Sequence, residues 1–305
     1  MIQPILLYGC ELWGLYGWKK DKQILGHLLN GRHPFEDLHS KMCRNALGVH
    51  RRATECLVIS ELGRYPLMIN VVKHIYSYWQ HVLNSKRTSL VRQVLESGMT
   101  KTATGHLTYV SRIKMLFETL EVPHLIQKSD KICNIKKKGS ELKNKLRDKY
   151  KKQFFELLKC KKERLQSGGR FEVYFDIKKQ YKFEKYLLCL KNDLRRHITN
   201  IRISTHNLPV EVLRKKGIKR DDRICKLCTK NVVCTELHAV MFCENDNLVE
   251  FRNNLNIKLN EIKPQWNRLS KKDKFIYLTL ANDKECFFYF AIFLDKMYKL
   301  FNANM

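Results

Sequence analysis

Acidic residues are scarce in this chain of 305 residues: 30 Asp+Glu stand against 58 Lys+Arg, leaving a formal charge of +28. So large a positive excess makes a polyanion the expected partner, and nucleic acid is the commonest one. An anionic membrane surface would need a basic amphipathic anchor or a lipidation signal, and neither is recognisable. Long apolar runs are also missing. The best, Cys286 to Leu294, is nine residues, whereas a bilayer core needs about 20. The opening Met1-Ile2-Gln3-Pro4-Ile5-Leu6-Leu7 has no basic n-region and no small-residue cleavage site, so no secretory signal is read. The chain is therefore expected to be intracellular, in nucleus or cytoplasm. No fixed-period repeat is present. Apolar residues at 44% and aromatics at 10% suffice for a core, so wholesale disorder is not expected. At roughly 150 residues per domain, the length suggests two domains or one with a large appendage.

What is present reads as helix. Pro66 suits a helix start, and Met68, Val72, Ile75, Trp79 and Val82 follow at steps of 4, 3, 4 and 3, one apolar face running to about Leu83. Ile113, Leu116, Phe117 and Leu120 form a shorter copy stopped near Pro123. Leu38 to Gly48 is another helix, closed by its glycine. Ile5 to Gly9 resembles a short buried strand or the entry to an element. Residues 128–164 hold fifteen Lys/Arg and five Asp/Glu, yet Leu142, Leu146, Tyr150, Phe154 and Leu157 keep near-helical spacing. This is an amphipathic helix with a basic outer face, either a solvated connector or a nucleic-acid contact. Ser167-Gly168-Gly169 closes it. Beyond, Leu194, Ile198 and Ile201 share one face. Ser270-x-x-Asp273 and Asn282-x-x-Glu285 look like helix N-terminal signatures, the second opening a final helix from about Asp283 to Phe301. The expected architecture is mainly α: a helical region at 1–127, a basic linker helix at 128–169 and a second helical domain at 170–305.

Eleven cysteines in such a chain are expected to be thiols rather than disulfides. Seven are scattered singly among apolar residues, where they serve as small core side chains. The other four fall within 225–243. Cys225, Cys228, His238 and Cys243 form C-x2-C-x9-H-x4-C. A C-x-x-C turn aims two thiolates at one point, and a second pair closes a tetrahedron around Zn²⁺. Four protein ligands leave no open position, so one structural zinc is expected. Cys234 offers an all-cysteine alternative. His238 is favoured because Glu236-Leu237-His238 leads directly into the segment carrying Cys243.

The densest basic surface surrounds this cluster: 195–230 hold eleven Lys/Arg and three Asp/Glu. Arg195, Arg196, Arg202, Lys215, Lys216, Lys219, Arg220, Arg223 and Lys226 are the candidate phosphate contacts. A metal-fixed turn bearing cations suits a phosphate backbone.

Three segments, Arg202-Ile203-Ser204-Thr205-His206-Asn207-Leu208-Pro209-Val210-Glu211, Asp222-Arg223-Ile224-Cys225-x-x-Cys228 and His238-x4-Cys243, resemble the C-terminal zinc-knuckle region of non-LTR (LINE-type) retrotransposon polyproteins. Leu6-Leu7-Tyr8-Gly9-Cys10-Glu11-Leu12-Trp13-Gly14 looks like the segment just after the reverse-transcriptase palm of such elements. Leu47-Gly48-Val49-His50-Arg51-Arg52-Ala53 and Glu61-Leu62-Gly63-Arg64-Tyr65-Pro66-Leu67 look like the helical region that follows it. The resemblance implies that 1–127 is a thumb- or connector-like region, and that the knuckle holds template RNA or target DNA near a polymerase. Two features depart from the family. Val232-Val233-Cys234-Thr235 stand where such knuckles often carry acidic residues, leaving only Glu236. No aromatic-x-Asp-Asp turn for two catalytic metals exists either; the one Asp-Asp, Asp221-Asp222, follows Lys219-Arg220.

The expected function is therefore a non-catalytic, zinc-containing, nucleic-acid-binding fragment, with RNA and DNA both open. Neither a membrane nor a small-molecule substrate is implied, and the oligomeric state is not read from the sequence. The rival is a zinc-stabilised structural or protein-interaction module whose charge only keeps it in solution. An enzyme is least expected, because His50, His74, His106 and His206 have no carboxylate or nucleophile placed beside them in sequence.

Overall fold

Apolar side chains recurring every three or four positions build helix after helix, as the spacing requires. The computed structural model describes residues 3–15, 34–129, 132–164, 170–280 and 283–304. Among them the chain is mainly helical, with no β-strand and only two isolated antiparallel bridges, Leu62–Phe183 and Ile224–Val233. No described helix is long and apolar enough to cross a membrane.

The chain divides into two compact units, each discontinuous: Met1–Ser40 with Tyr65–Phe154, and Lys41–Arg64 with Phe155–Met305. The expected boundaries at 1–127, 128–169 and 170–305 fall elsewhere. Residues 41–64 group with the C-terminal half, and the basic helix Ile132–Arg164 is continuous, shared out at Phe154. The Ser167-Gly168-Gly169 boundary lies outside the described residues.

In the first unit the Met68–Asn84 helix is the centre, and Met68, Val72, Ile75, Trp79 and Val82 are all buried. Its first backbone N–H has no partner inside the helix. The Glu36 carboxylate accepts it at 2.8 Å, so the cap comes from a distant residue. Buried Gln80 is fully used: its amide donates to the Leu125 and Gln127 carbonyls at 3.0 and 2.8 Å, and its oxygen accepts from Ser129 N–H at 2.9 Å. The Tyr109–Thr119 helix opens on a capping box between Thr108 and Ser111 and buries Ile113, Leu116 and Phe117. Within the basic helix Leu142, Leu146, Tyr150 and Phe154 are buried as expected, and in the second unit's portion the stripe continues with Leu158. Leu157 is 39% exposed instead, because a helix turns about 100° per residue. The Ile5–Gly9 segment is not a strand. Gln3–Leu6 is one helical turn and Gly9 adopts φ 65° before the Cys10–Trp13 turn, with Ile5 and Tyr8 exposed. Its N–H groups bond back along the chain, Tyr8 to Ile5 and Cys10 to Leu7.

The second unit is organised by the Lys284–Ala303 helix, which buries Cys286, Phe287, Phe290, Ala291, Phe293, Leu294, Met297, Tyr298 and Phe301. Asp283 caps it by accepting the Glu285 N–H at 2.8 Å; Asn282, the expected cap, lies outside the described residues. The other expected signature holds: Ser270 Oγ accepts the Asp273 N–H at 3.1 Å and donates to its carboxylate at 2.6 Å. A buried ionic cluster explains why 41–64 belong here. Arg202, on the Asn192–Arg202 helix, forms a two-pronged pair with Glu61 at 3.0 and 2.9 Å and meets Glu184 at 3.2 Å. Lys178 donates to the Ser60 and Lys182 carbonyls at 2.8 Å and to Glu184. Tyr186 donates to Glu61 at 2.6 Å. Gly63 is required beside it, since a Cβ there would lie 2.4 Å from the Phe183 backbone nitrogen, and its φ is +56°.

Candidate metal centre

The cysteine pairs are presented by a short backbone ladder. Cys225 N–H donates to the Val232 carbonyl and Cys234 N–H to the Arg223 carbonyl, both at 2.9 Å. Asn231, with φ 50°, turns the chain between them; asparagine tolerates this left-handed geometry better than most residues. The second pair stands on a single wide turn, His238–Phe242, closed by Cys243 N–H bonding to the His238 carbonyl at 2.8 Å. Arg252 locks that turn from outside, donating to the Val240 and Cys243 carbonyls at 2.8 and 2.9 Å. The Asn245 amide ties it to the first turn through the Leu227 carbonyl at 3.3 Å.

The ligand atoms of Cys225, Cys228, His238 and Cys243 all lie within 4.8 Å of one another. Cys225 and Cys243 sulfurs are 3.7 Å apart, and Cys228 Sγ lies 3.5 Å from His238 Nε2. A tetrahedral ion with metal–sulfur bonds near 2.3 Å and metal–nitrogen bonds near 2.05 Å requires about 3.8 Å between sulfurs and about 3.6 Å between sulfur and nitrogen. The donors fit one metal ion. They are also shielded, with Cys225, His238 and Cys243 buried and Cys228 half-buried. Hydrogen bonds from Cys234 and Cys243 hold the Cys225 thiol well below its ordinary range, while bonding to Cys225 and burial hold those two donors above theirs. A thiolate gathering protons from its neighbours is the arrangement a cation replaces.

No family model, curated protein or solved structure matches this chain.

Cys234, the alternative ligand, is fully buried and lies outside the four-donor group. It stands behind Cys225 as a thiol donor. Among the described residues one other group brings three such side chains together, Cys10, Glu11 and His74 in the first unit. There burial and Glu11 push the Cys10 thiol up to about 12, which keeps it protonated.

The residues leading into the knuckle anchor it to the helical scaffold. Glu236 is buried and accepts the Ser204 hydroxyl at 2.7 Å and His206 Nε2 at 2.9 Å. His206 Nδ1 accepts the Leu208 N–H at 3.2 Å, so the ring proton sits on Nε2, facing the carboxylate. His206 is thus not a lone histidine: its partner lies 30 positions away, beyond the reach of local spacing. Burial disfavours the Glu236 carboxylate, but the hydrogen bonds it accepts from His206 and Ser204 outweigh it and hold its pKa below the usual range. Glu236→Ala is expected to destabilise the second unit by about 2–6 kcal/mol, since two buried donors lose their acceptor at about 1–3 kcal/mol each. Urea denaturation of the metal-loaded protein measures it, and an unchanged midpoint would contradict the anchoring role.

The cationic candidates separate into two kinds. Arg202 is 1% exposed and spent on Glu61 and Glu184, so it cannot touch a phosphate. Arg223 is half-buried and its guanidinium donates to the Ile218 and Val210 carbonyls, bracing the loop before the first ligand. Arg195 bonds the Ala46 carbonyl at 3.2 Å. Arg196, Lys215, Lys216, Lys219 and Lys226 are exposed, and Arg220 is half-buried. Lys215 closes the short Pro209–Lys215 helix, with Lys216 and Lys219 in the loop beyond it, and Lys226 sits between the first two ligands.

Proposed function

We propose that this chain is a non-catalytic nucleic-acid-binding fragment built around one structural zinc ion, of the kind its sequence resembles in the C-terminal region of non-LTR retrotransposon polyproteins. The observation that carries the reading is the four-donor group, with exposed Lys226 between its first two ligands and exposed lysines in the segment leading to it. Three thiolates and an imidazole form a tetrahedral set characteristic of zinc. Four protein ligands leave no position for substrate or water, which argues for scaffold rather than chemistry. The exposed Asp221-Asp222 pair sits in a basic turn, Arg220–Asp222, unlike a two-metal site.

Lys215, Lys216, Lys219 and Lys226 offer about four phosphate contacts, so log K for a single strand should fall with log salt at a slope near −2.8. The Lys215→Glu/Lys216→Glu/Lys219→Glu variant should flatten that slope to about −0.7 and weaken binding to all sequences alike, because phosphate contacts carry affinity and not base identity. Titration of labelled RNA and DNA oligonucleotides at several salt concentrations reads both. A second reading, a zinc-stabilised protein-interaction module, is favoured by the internal use of Arg202 and Arg223. A flat salt response would select it.

A further inference from the structure

Of the five residues in the His238–Phe242 turn, His238 faces the other ligands and Ala239, Val240 and Met241 are buried, while Phe242 is 41% exposed. The largest apolar side chain of the turn is the one directed at solvent. Singly exposed apolar residues are ordinary on protein surfaces. This one differs in two respects. First, its backbone lies between two donors of the metal group, His238 and Cys243, and Arg252 fastens the carbonyls on either side of it. Second, the ammonium of Lys271 stands 4.8 Å from the centre of its ring. Lys271 and Lys272 open the Lys271–Leu280 helix and are exposed, as is Arg268 just before it. None of these three cations belongs to the basic run at 195–230. The metal turn therefore carries an exposed aromatic ring with one cation, Lys271, over it, on a backbone fastened by Arg252.

We propose that Phe242 is a stacking platform for an unpaired base and that Lys271 takes the neighbouring phosphate, which makes the partner single-stranded nucleic acid. The proposal rests on the nucleic-acid reading above and narrows it. A base is a flat π-surface carrying an anion a few ångströms from its edge. It can replace the ammonium over the ring while the ammonium moves to the phosphate, so both groups exchange one partner for a better one. A paired base inside a duplex has no free face and cannot make the exchange. Because the metal ligands hold the turn already, little backbone order is lost on binding.

The test uses the metal-loaded full chain, with metal content measured for every variant. Binding of a labelled oligo-dT, an oligo-U and a duplex of equal length is titrated at one low salt concentration. Phe242→Ala should raise Kd for both single strands about 5- to 100-fold and leave the duplex unchanged. Phe242→Trp should bind at least as tightly as the wild type, and its emission should be quenched as the single strand is added. A fully metallated Phe242→Ala protein that binds single strands as the wild type does, while the triple lysine reversal weakens binding, would overturn the platform and leave the broader reading standing. A wild-type protein that binds neither strand type would overturn both.

Discussion

Arg202→Met should unfold the second unit under conditions where the wild type stays folded. The guanidinium makes three bonds to two carboxylates and one to the Thr279 carbonyl, with 1% of its surface exposed. Removing one partner of a buried pair costs about 3–5 kcal/mol, because the remaining charge keeps its desolvation penalty and loses its counter-ion. Among the described residues Glu61 would retain Lys178 as its nearby cation, and Lys178 is already engaged by Glu184 and two carbonyls. Against a domain stability of about 5–15 kcal/mol the loss is large. The urea midpoint reads it directly. A Glu61→Met/Arg202→Met pair should lose clearly less than the two single changes summed, since the two positions share one interaction. The pH dependence has a definite sign. Burial raises the Glu61 carboxyl, but Arg202 and Lys178 more than offset it and hold its pKa below the ordinary value. Its contribution is therefore present above the usual carboxylate range and is lost as pH falls through the depressed value. An Arg202 variant with wild-type stability but weakened oligonucleotide binding would show that the residue acts on phosphate after all.

Arg202 and the four candidate metal donors differ in how far the sequence alone makes them legible. Cys225, Cys228, His238 and Cys243 lie within one small ladder and one turn, so their spacing along the chain is also their arrangement in space. The Met68–Asn84 helix was legible for the same reason, since its apolar period is local. Arg202 and Arg223 looked like members of a basic surface because charge alone does not say where a side chain points. What decides the matter for Arg202 is Glu61, 141 positions away, and for His206 it is Glu236. The grouping of 41–64 with the C-terminal half is hidden likewise, since it follows from those same long-range pairs. Residues that resemble a family's signature here prove to be largely scaffold: Arg202, Ser204 and His206 bind carboxylates, and Gly63 lets the Phe183 backbone approach. Phe242 is not legible in the sequence, because nothing in C-x9-H-x4-C distinguishes an exposed position of the turn from a buried one.

Withdrawing the metal should have the other large effect, and it should be local at first. Structural zinc in finger-sized sites supplies about 10–16 kcal/mol of apparent binding free energy, as much as an entire domain's stability. Apart from the ion, 225–243 are held by a two-bond ladder, the Asn245 tie, the Arg252 lock and the Glu236 anchor. Without the ion, only weak sulfur hydrogen bonds to the Cys225 thiolate and the Cys228–His238 contact hold the four donors together. The His238–Phe242 turn should open, and its buried Ala239, Val240 and Met241 should lose their seat against the Lys271–Leu280 and Lys284–Ala303 helices. Hydrogen exchange after chelation should therefore rise first in 225–243 and next in 271–280, while the Met68–Asn84 helix stays protected. Metal analysis of variants assigns the ligands. Cys225→Ser/Cys228→Ser should retain no stoichiometric metal and His238→Ala should retain far less than wild type, whereas Cys234→Ser should keep one ion per chain. Full metal in His238→Ala with loss in Cys234→Ser would transfer the fourth position to Cys234. Acid should act as the chelator does, because protons compete with the ion for the thiolates, so metal release and opening of the turn should share one midpoint as pH falls. If the turn opened while the ion stayed bound, the donor set would have to lie elsewhere in the chain.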